Sequence, residues 1–413
     1  MYGTLALSHR ALDDLADAAG RSTIDELRAL ARPIEGLRVL NLSVSAFGTG
    51  TAELLNSAVP LLTDLGLDCH WQVVRGSEDA LQVNRAMYQA LGGVAVSWTH
   101  EMSETWQRYA AMNAELLTEQ FDVIVVHDPQ PAAIHSYLAE GSAAKWVFHS
   151  HLDLSTAQDD VWMLLRSHIE QYDAAIFDAA RFTREDLPLP TFIIPPAIDP
   201  NSPRNMPLPD EVVRTVMERY GLDPQRPVLC QICPCDAASR MGDAIDVWEM
   251  VRARHPELQM LIVLMTEPAD PIGRGCYEDV ARRANETDGL VLVSMGNELG
   301  NVELNVFQRV ADVVLQRGLR KGFGLWISDA LWKERACVVA PDGGLTEQVV
   351  DGETGIVARG NDEFAAAIAR LLEDRELARR YGRAGRARVA ERFLITRYLR
   401  DCLAVLGELH RGR

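Results

Sequence analysis

The chain has 413 residues, of which 47% are hydrophobic and 24% charged, and its formal net charge is −18. At roughly 100–200 residues per domain this implies two or three domains, each with its own core. The acidic balance, with no run of five basic residues, excludes a broad basic surface for nucleic acid or anionic membrane, and no apolar stretch of about 18 residues is present to span a bilayer.

The basic residues are 38 Arg and only 3 Lys (Lys145, Lys321, Lys333), a skew typical of GC-rich coding sequence. The first twenty residues, MYGTLALSHRALDDLADAAG, have neither the basic leader nor the long apolar core of a signal peptide. Seven Cys, an odd number, are scattered at 69, 230, 233, 235, 276, 337 and 402. This predicts a reduced, cytoplasmic protein rather than a disulfide framework.

In chain order, short β-branched runs predict strands at Leu37–Val44, Cys69–Val74, Phe121–Val126, Lys145–His149, Ala174–Phe177 and Thr191–Ile194. A second series follows at Val228–Ile232, Met260–Met265, Leu290–Val293, Asp312–Leu315, Cys337–Ala340 and Gly355–Val357. Runs such as VIVV and MLIVLM lack polar alternation, so they read as parallel strands buried on both faces. Amphipathic stretches lie between them, for example Ala52–Leu65, Glu104–Glu119 and Ala244–Arg254. Such βαβα alternation predicts an α/β protein with two doubly wound halves. Pro195–Pro209 (PPAIDPNSPRNMPLP) reads as the linker. The expected division is 1–200, 201–385 and a C-terminal helical segment 386–413 that packs back on the first domain.

Ligands of doubly wound sheets bind at the carboxyl ends of strands, so the loops there carry the candidate chemistry. After the first strand, Gly48 and Gly50 allow close backbone approach and Thr51 is placed to cap the next helix. This suits a phosphate, a sugar hydroxyl or simply a tight turn. After Val126, His127-Asp128-Pro129-Gln130-Pro131 presents an acid and an amide from a Pro-stiffened loop. After the fourth strand come His149, His151 and Asp153. These three can be read as metal ligands, but no further ligand set is evident, and a hydrogen-bonding histidine fits better. Cys230, Cys233 and Cys235 lack a second CxxC and read as structural thiols.

The most informative stretch is Gln316–Trp332. Basic Arg317, Arg320 and Lys321 precede Gly322-Phe323-Gly324 and a helix containing Asp329. Unpaired helix N–H groups next to glycine and positive charge suit an anion such as a diphosphate.

Taken together, SAFGTGTAELL (45–55), VVHDPQPAA (125–133), HLDLS (151–155), IPPAIDP (194–200), VLQRGLRKGFGLWISDALWK (314–333) and GGLTEQVVDGETG (343–355) resemble the retaining GT-B glycosyltransferases of family four. Within that family the likeness is to trehalose glycosyltransferring synthases. The resemblance implies a Rossmann-like acceptor domain followed by a Rossmann-like nucleotide-sugar domain. It implies His151, Lys321 and Asp329 as catalytic-site residues, with Gly48, Gly50, Asp128, Gln130 and Asp153 toward the acceptor. Arg240, Arg320, Gly322, Phe323, Gly324 and Leu325 fall toward a GDP-, UDP- or ADP-sugar donor. No metal and no other cofactor are expected, and a homodimer is left open.

Two departures stand out. The family has two Glu eight positions apart where this chain has Lys321 and Asp329, and an Arg where this chain has Pro234. The altered donor loop leads to an expected sugar transfer in specialised (antibiotic) metabolism, such as S-glycosylation of a thiol like ergothioneine by a GDP-octose. Trehalose synthesis from NDP-glucose and glucose is the alternative, and a catalytically inactive sugar-nucleotide-binding relative is another.

Overall fold

The computed structural model describes residues 5–138, 143–236, 239–265, 271–294, 299–318 and 322–412. In them, strands form at all twelve expected places, with ends within two residues of the expectation. They are β1 (Arg38–Ser43), β2 (Asp68–Val73), β3 (Val123–His127), β4 (Lys145–Ser150), β5 (Ala174–Phe177) and β6 (Thr191–Ile193), then β7 (Val228–Cys233), β8 (Gln259–Leu264), β9 (Leu290–Ser294), β10 (Val313–Gln316), β11 (Ala336–Val339) and β12 (Ile356–Val357). β3, β7, β8, β10 and β11 are buried along their whole length. That is why they carry no polar alternation.

The chain forms two compact units. One runs to Ala197 and includes the last helix, Ile395–Arg411; the other lies between Ile198 and Leu394 apart from a short piece at 322–323. Each is built on a six-stranded parallel sheet. The first has the order β2-β1-β3-β4-β5-β6 and the second β12-β11-β10-β7-β8-β9. In the first, the chain steps from β1 to β2 on one side, then returns to place β3 on the other. Its switch point is therefore between the carboxyl ends of β1 and β3. By the same reasoning the second switch point lies between β7 and β10. Ligands bind at such points because the connections leave in opposite directions and open a crevice.

The helix Ile395–Arg411 packs on helix Arg21–Ala31 of the same unit. Arg397 secures it by donating to the carbonyls of Pro195 and Pro196 and pairing with Asp401 at 2.9 Å. The segment expected as a linker is not simply solvated. Asp199 and Asn205 are buried, and Ile198 bridges to Leu394. Among the described residues no helix is long and apolar enough to cross a membrane.

In the second unit the helix Trp326–Trp332, which follows the β10 loop, packs on helix Arg375–Arg392. The approach is close enough to require glycine. A Cβ on Gly382 would lie 2.1 Å from the carbonyl oxygen of Glu334, and one on Gly385 would lie 2.5 Å from Leu331. Backbone at that distance cannot give way cheaply. Gly382→Ala is therefore expected to lower stability by about 1–3 kcal/mol in denaturant titration. Gly407→Ala, whose Cβ would meet only Arg411 at 3.6 Å, should be neutral or stabilising. Equal effects of the two substitutions would contradict the packing.

Candidate active site

At the first switch point β1 ends at Ser43 and the helix Gly50–Asp64 begins after a loop. Thr49, with extended backbone, caps that helix and accepts from the Ala52 N–H at 3.1 Å. Thr51 was expected to cap, but it lies one residue inside the helix. Its hydroxyl instead donates to Asp128 Oδ2 at 3.1 Å. Gly48 has φ +71°, a conformation that a side chain strains. Gly50 has ordinary φ, and no atom lies within 4 Å of a Cβ placed on it. Phe47, immediately before Gly48, is 81% exposed, an unusual place for a phenyl ring.

Across the switch point, Asp128 follows β3 with φ +67°. Its N–H donates to the carbonyl of His149 at 2.9 Å, which continues the β3–β4 pairing by one residue. The left-handed turn then brings the carboxylate back. Oδ2 accepts from Thr51, and Oδ1 accepts from the backbone N–H of His151 at 3.1 Å. Burial raises this carboxyl above the usual range, against the pull of His151. Gln130 is also buried. Its carbonyl accepts from Trp106 Nε1 at 2.9 Å, while its side-chain Oε1 finds no protein partner. A buried amide oxygen in that state is suited to a ligand hydroxyl.

Register supplies the rest. His127 of β3 pairs with His149 of β4, so both rings project from the same face, 5.1 Å apart. His151 stacks on His127 at 5.4 Å. A chain of hydrogen bonds fixes the protons. Asn41 Nδ2 donates to the His70 carbonyl at 3.2 Å, which turns its Oδ1 toward His127 Nε2 at 3.0 Å. His127 Nε2 therefore carries the hydrogen, and His127 Nδ1 accepts from His151 Nε2 at 3.1 Å. His151 Nδ1 donates to Asp178 Oδ1 at 3.0 Å. Burial disfavours charge on His151, but Asp178 and Asp128 outweigh it and raise its pKa to about 9. Burial together with the neighbouring rings holds His127 and His149 well below the ordinary histidine value.

Sequence reasoning singled out His149 and His151 but gave no site role to His127, Asn41 or Asp178. Residues inside strands or at their ends read as core, and only the pairing of β1, β3, β4 and β5 collects them. Asp153 is not part of this cluster. Its Oδ1 accepts from the Ser155 N–H at 3.0 Å and hydroxyl at 2.6 Å, which makes a local turn.

In the second unit the loops after β7 and β10 flank the other switch point. Cys230 and Cys233 are three residues apart in a strand and so face opposite sides. All three of Cys230, Cys233 and Cys235 are buried, and burial pushes the Cys233 thiol up to about 12. Arg240 has φ +50° and pairs with Asp243 at 2.6 Å while remaining half exposed. Arg317, read from sequence as part of the basic approach to an anion, is instead spent inside the unit. It is 1% exposed, lies 4.1 Å over Phe364 and donates to Asn361 Oδ1 at 2.6 Å. Arg320 and Lys321 lie outside the described residues. Phe323 is buried, Gly324 has φ +74°, and Leu325 opens the helix Trp326–Trp332.

Asp329 on that helix is 2% exposed. It accepts from Asn205 Nδ2 at 2.8 Å, with Arg204 at 3.8 Å. Lys333, one turn on, donates to Asn205 Oδ1 at 2.7 Å, Gln308 Oε1 at 2.8 Å and the Asp329 carbonyl at 3.1 Å. Asp329 is thus tied into a buried network that the sequence did not predict, because its anchor Asn205 comes from the expected linker.

With the geometry in place, comparison with known proteins is decisive. Residues 41–184 match the family described as Trehalose synthase, N-terminal domain, and residues 240–388 match Glycosyl transferases group 1. Trehalose synthase of Rubrobacter xylanophilus is 36% identical over 406 residues, covering 97% of each chain. That of Thermococcus litoralis is 32% identical over 399 residues, covering 96% of each. The chain belongs to the trehalose synthase family. It is a group 1 glycosyltransferase with the GT-B fold. Among solved structures, a trehalose-6-phosphate synthase (OtsA) superposes with a TM-score of 0.71 at 15% identity, over 90% of this chain and 99% of that one. A trehalose-6-phosphate structure from E. coli bound with UDP-2-fluoro glucose gives 0.71 at 16% identity, over 90% and 98%. These relatives lend no support to the expectation of an antibiotic-pathway, thiol-glycosylating enzyme.

The buried lysine of this glycosyltransferase yields a prediction. Burial lowers Lys333 to about 7, against the attraction of Asp329, whereas an unfolded lysine titrates near ~10.4. Between those values the unfolded chain holds the extra proton, so stability rises with pH across that window. Below pH 7 both states are protonated, and the full cost of burying the charge is present. The unfolding free energy of the wild type, measured against Lys333→Met, should increase from pH 7 to 9. A flat difference would contradict the assignment.

Proposed function

We propose that this chain transfers a hexosyl group, with retention, from a nucleoside-diphosphate sugar to a small sugar acceptor, glucose onto glucose to give trehalose being the best-supported pair. The observation that carries the reading is the Thr51–Asp128–His151 cluster at the first switch point, in a chain that aligns over nearly its whole length with trehalose synthases. The likeness to a structure bound with UDP-2-fluoro glucose adds support for a sugar-nucleotide donor.

In this reading the first unit takes the acceptor. Asp128 accepts a sugar hydroxyl, and Gln130 receives another through its unpartnered Oε1. His151 lies beside the transferring sugar. The second unit takes the donor through the loops at 233–240 and 317–325. The glycosidic bond to the diphosphate breaks as the acceptor oxygen bonds to the anomeric carbon, and the acceptor proton passes to the departing diphosphate. Negative charge grows on that diphosphate, so preorganised N–H groups at Gly322–Leu325 and the half-exposed Arg240 are the stabilising elements. No side chain serves as a covalent nucleophile.

One sequence feature favours a second reading. Lys321 and Pro234 replace an acid and a base that the family uses around the donor. This favours a donor sugar other than glucose, or a thiol acceptor such as ergothioneine. Incubation with UDP-, ADP- or GDP-glucose and either glucose or ergothioneine separates the two. Formation of α,α-trehalose, identified by its anomeric NMR signals, is the expected outcome. Product only with the thiol overturns trehalose synthesis, and calorimetric binding without turnover of any donor overturns both readings. Lys321→Glu is expected to weaken sugar-nucleotide binding, because Lys321 restores a positive charge lost at Pro234. Unchanged or tighter binding would refute that compensation.

A further inference from the structure

The three histidines at the ends of β3 and β4 have a use beyond the hydrogen-bond chain. The geometry points to a three-histidine transition-metal site, in which His127 Nδ1, His149 Nε2 and His151 Nε2 bind one ion of the Zn2+ class.

Four observations carry this. First, the three residues each offer a nitrogen within 4.8 Å of the other two. Zinc–nitrogen bonds of about 2.0–2.1 Å separate tetrahedral ligand atoms by roughly 3.4 Å. His127 Nδ1 and His151 Nε2, at 3.1 Å, are nearly there already. Second, His149 Nε2 is buried without a hydrogen-bond partner; Asp178 Oδ1 lies 3.6 Å from it, beyond hydrogen-bond reach. His149 is 1% exposed, so this nitrogen is not satisfied by bulk water. An ion accounts for it.

Third, the opposite nitrogens of the other two rings are already committed. Asn41 Oδ1 takes the His127 Nε2 hydrogen at 3.0 Å, and Asp178 takes the His151 Nδ1 hydrogen at 3.0 Å. Metal-ligating histidines are oriented by this kind of outer partner, a carbonyl or carboxylate on the far nitrogen. It leaves His127 Nδ1 and His151 Nε2 facing each other. Fourth, three imidazoles select zinc, nickel, copper or iron and disfavour magnesium and calcium, which require oxygen.

Binding releases one proton to solvent, the one that His151 Nε2 now donates to His127 Nδ1, so that both lone pairs turn to the ion. Three protein ligands leave a fourth position for water or a sugar hydroxyl. The ion would pin the end of β3 to the end of β4, the two strands whose loops carry Asp128, Gln130 and His151.

The test uses the untagged full-length chain, stripped with EDTA and reloaded. One equivalent of zinc is expected to remain after gel filtration. Cobalt should give the intense visible bands of a tetrahedral nitrogen site, and magnesium should not compete. Zinc should shift the imidazole 15N signals of three of the ten histidines. His149→Phe should abolish stoichiometric binding, and Asn41→Leu should weaken it about 10- to 100-fold, both with unchanged far-UV circular dichroism. The proposal is overturned by absence of stoichiometric zinc and of cobalt bands in the wild type. Equal zinc retention by a folded His149→Phe also overturns it. Should His149→Phe not fold, the wild-type 15N spectrum decides alone: shifts confined to other histidines, or none, refute the site.

Discussion

The first unit depends on the left-handed backbone at Asp128. This residue closes the β3–β4 pairing through its N–H and then reverses, so that one carboxylate reaches both the helix that follows β1 and the backbone that follows β4. A glycine would adopt φ +67° with less strain, but it would leave Thr51 and the His151 N–H without their acceptor. Aspartate tolerates the left-handed region better than most residues. Conformational strain is thus retained where a charged side chain at the switch point is required.

Much of the fold was legible in the sequence because parallel strands buried on both faces leave an unmistakable mark. VIVV and MLIVLM carry no polar alternation. The loops at strand ends were legible for the same reason: once strands are placed, the switch points follow from topology. What the chain pattern hides is pairing. His127 looks like one more strand residue until register sets it beside His149, and Asn41 looks like a stray polar group inside β1. Thr51 reads as the cap on paper, but Thr49, two residues earlier, takes that place, which frees the Thr51 hydroxyl to face Asp128.

The second unit shows the converse. Arg317 and Asp329 read as ligand-facing charges, yet each is engaged inside the unit, Arg317 by Asn361 and Phe364 and Asp329 by Asn205. A charged residue next to glycine-rich turns invites a functional reading, but its burial depends on distant partners. Asn205 illustrates the point, since it comes from a Pro-rich segment that carries no periodic signal and still anchors Asp329 and Lys333. Among the basic groups described around the second switch point, Arg240 remains half exposed, paired with Asp243 at 2.6 Å.

The account stands on Asp128 acting as the node that ties together the carboxyl end of the first sheet, where the proposed acceptor would bind. Asp128→Asn keeps the size of the side chain and an acceptor oxygen but removes the charge. Its kcat/KM for trehalose formation, measured beside its thermal midpoint, is the most direct test. The expected result is a loss of about ten- to hundredfold in kcat/KM, the worth of one hydrogen bond to a charged group, with little change in midpoint. Wild-type kcat/KM in the variant would contradict the account.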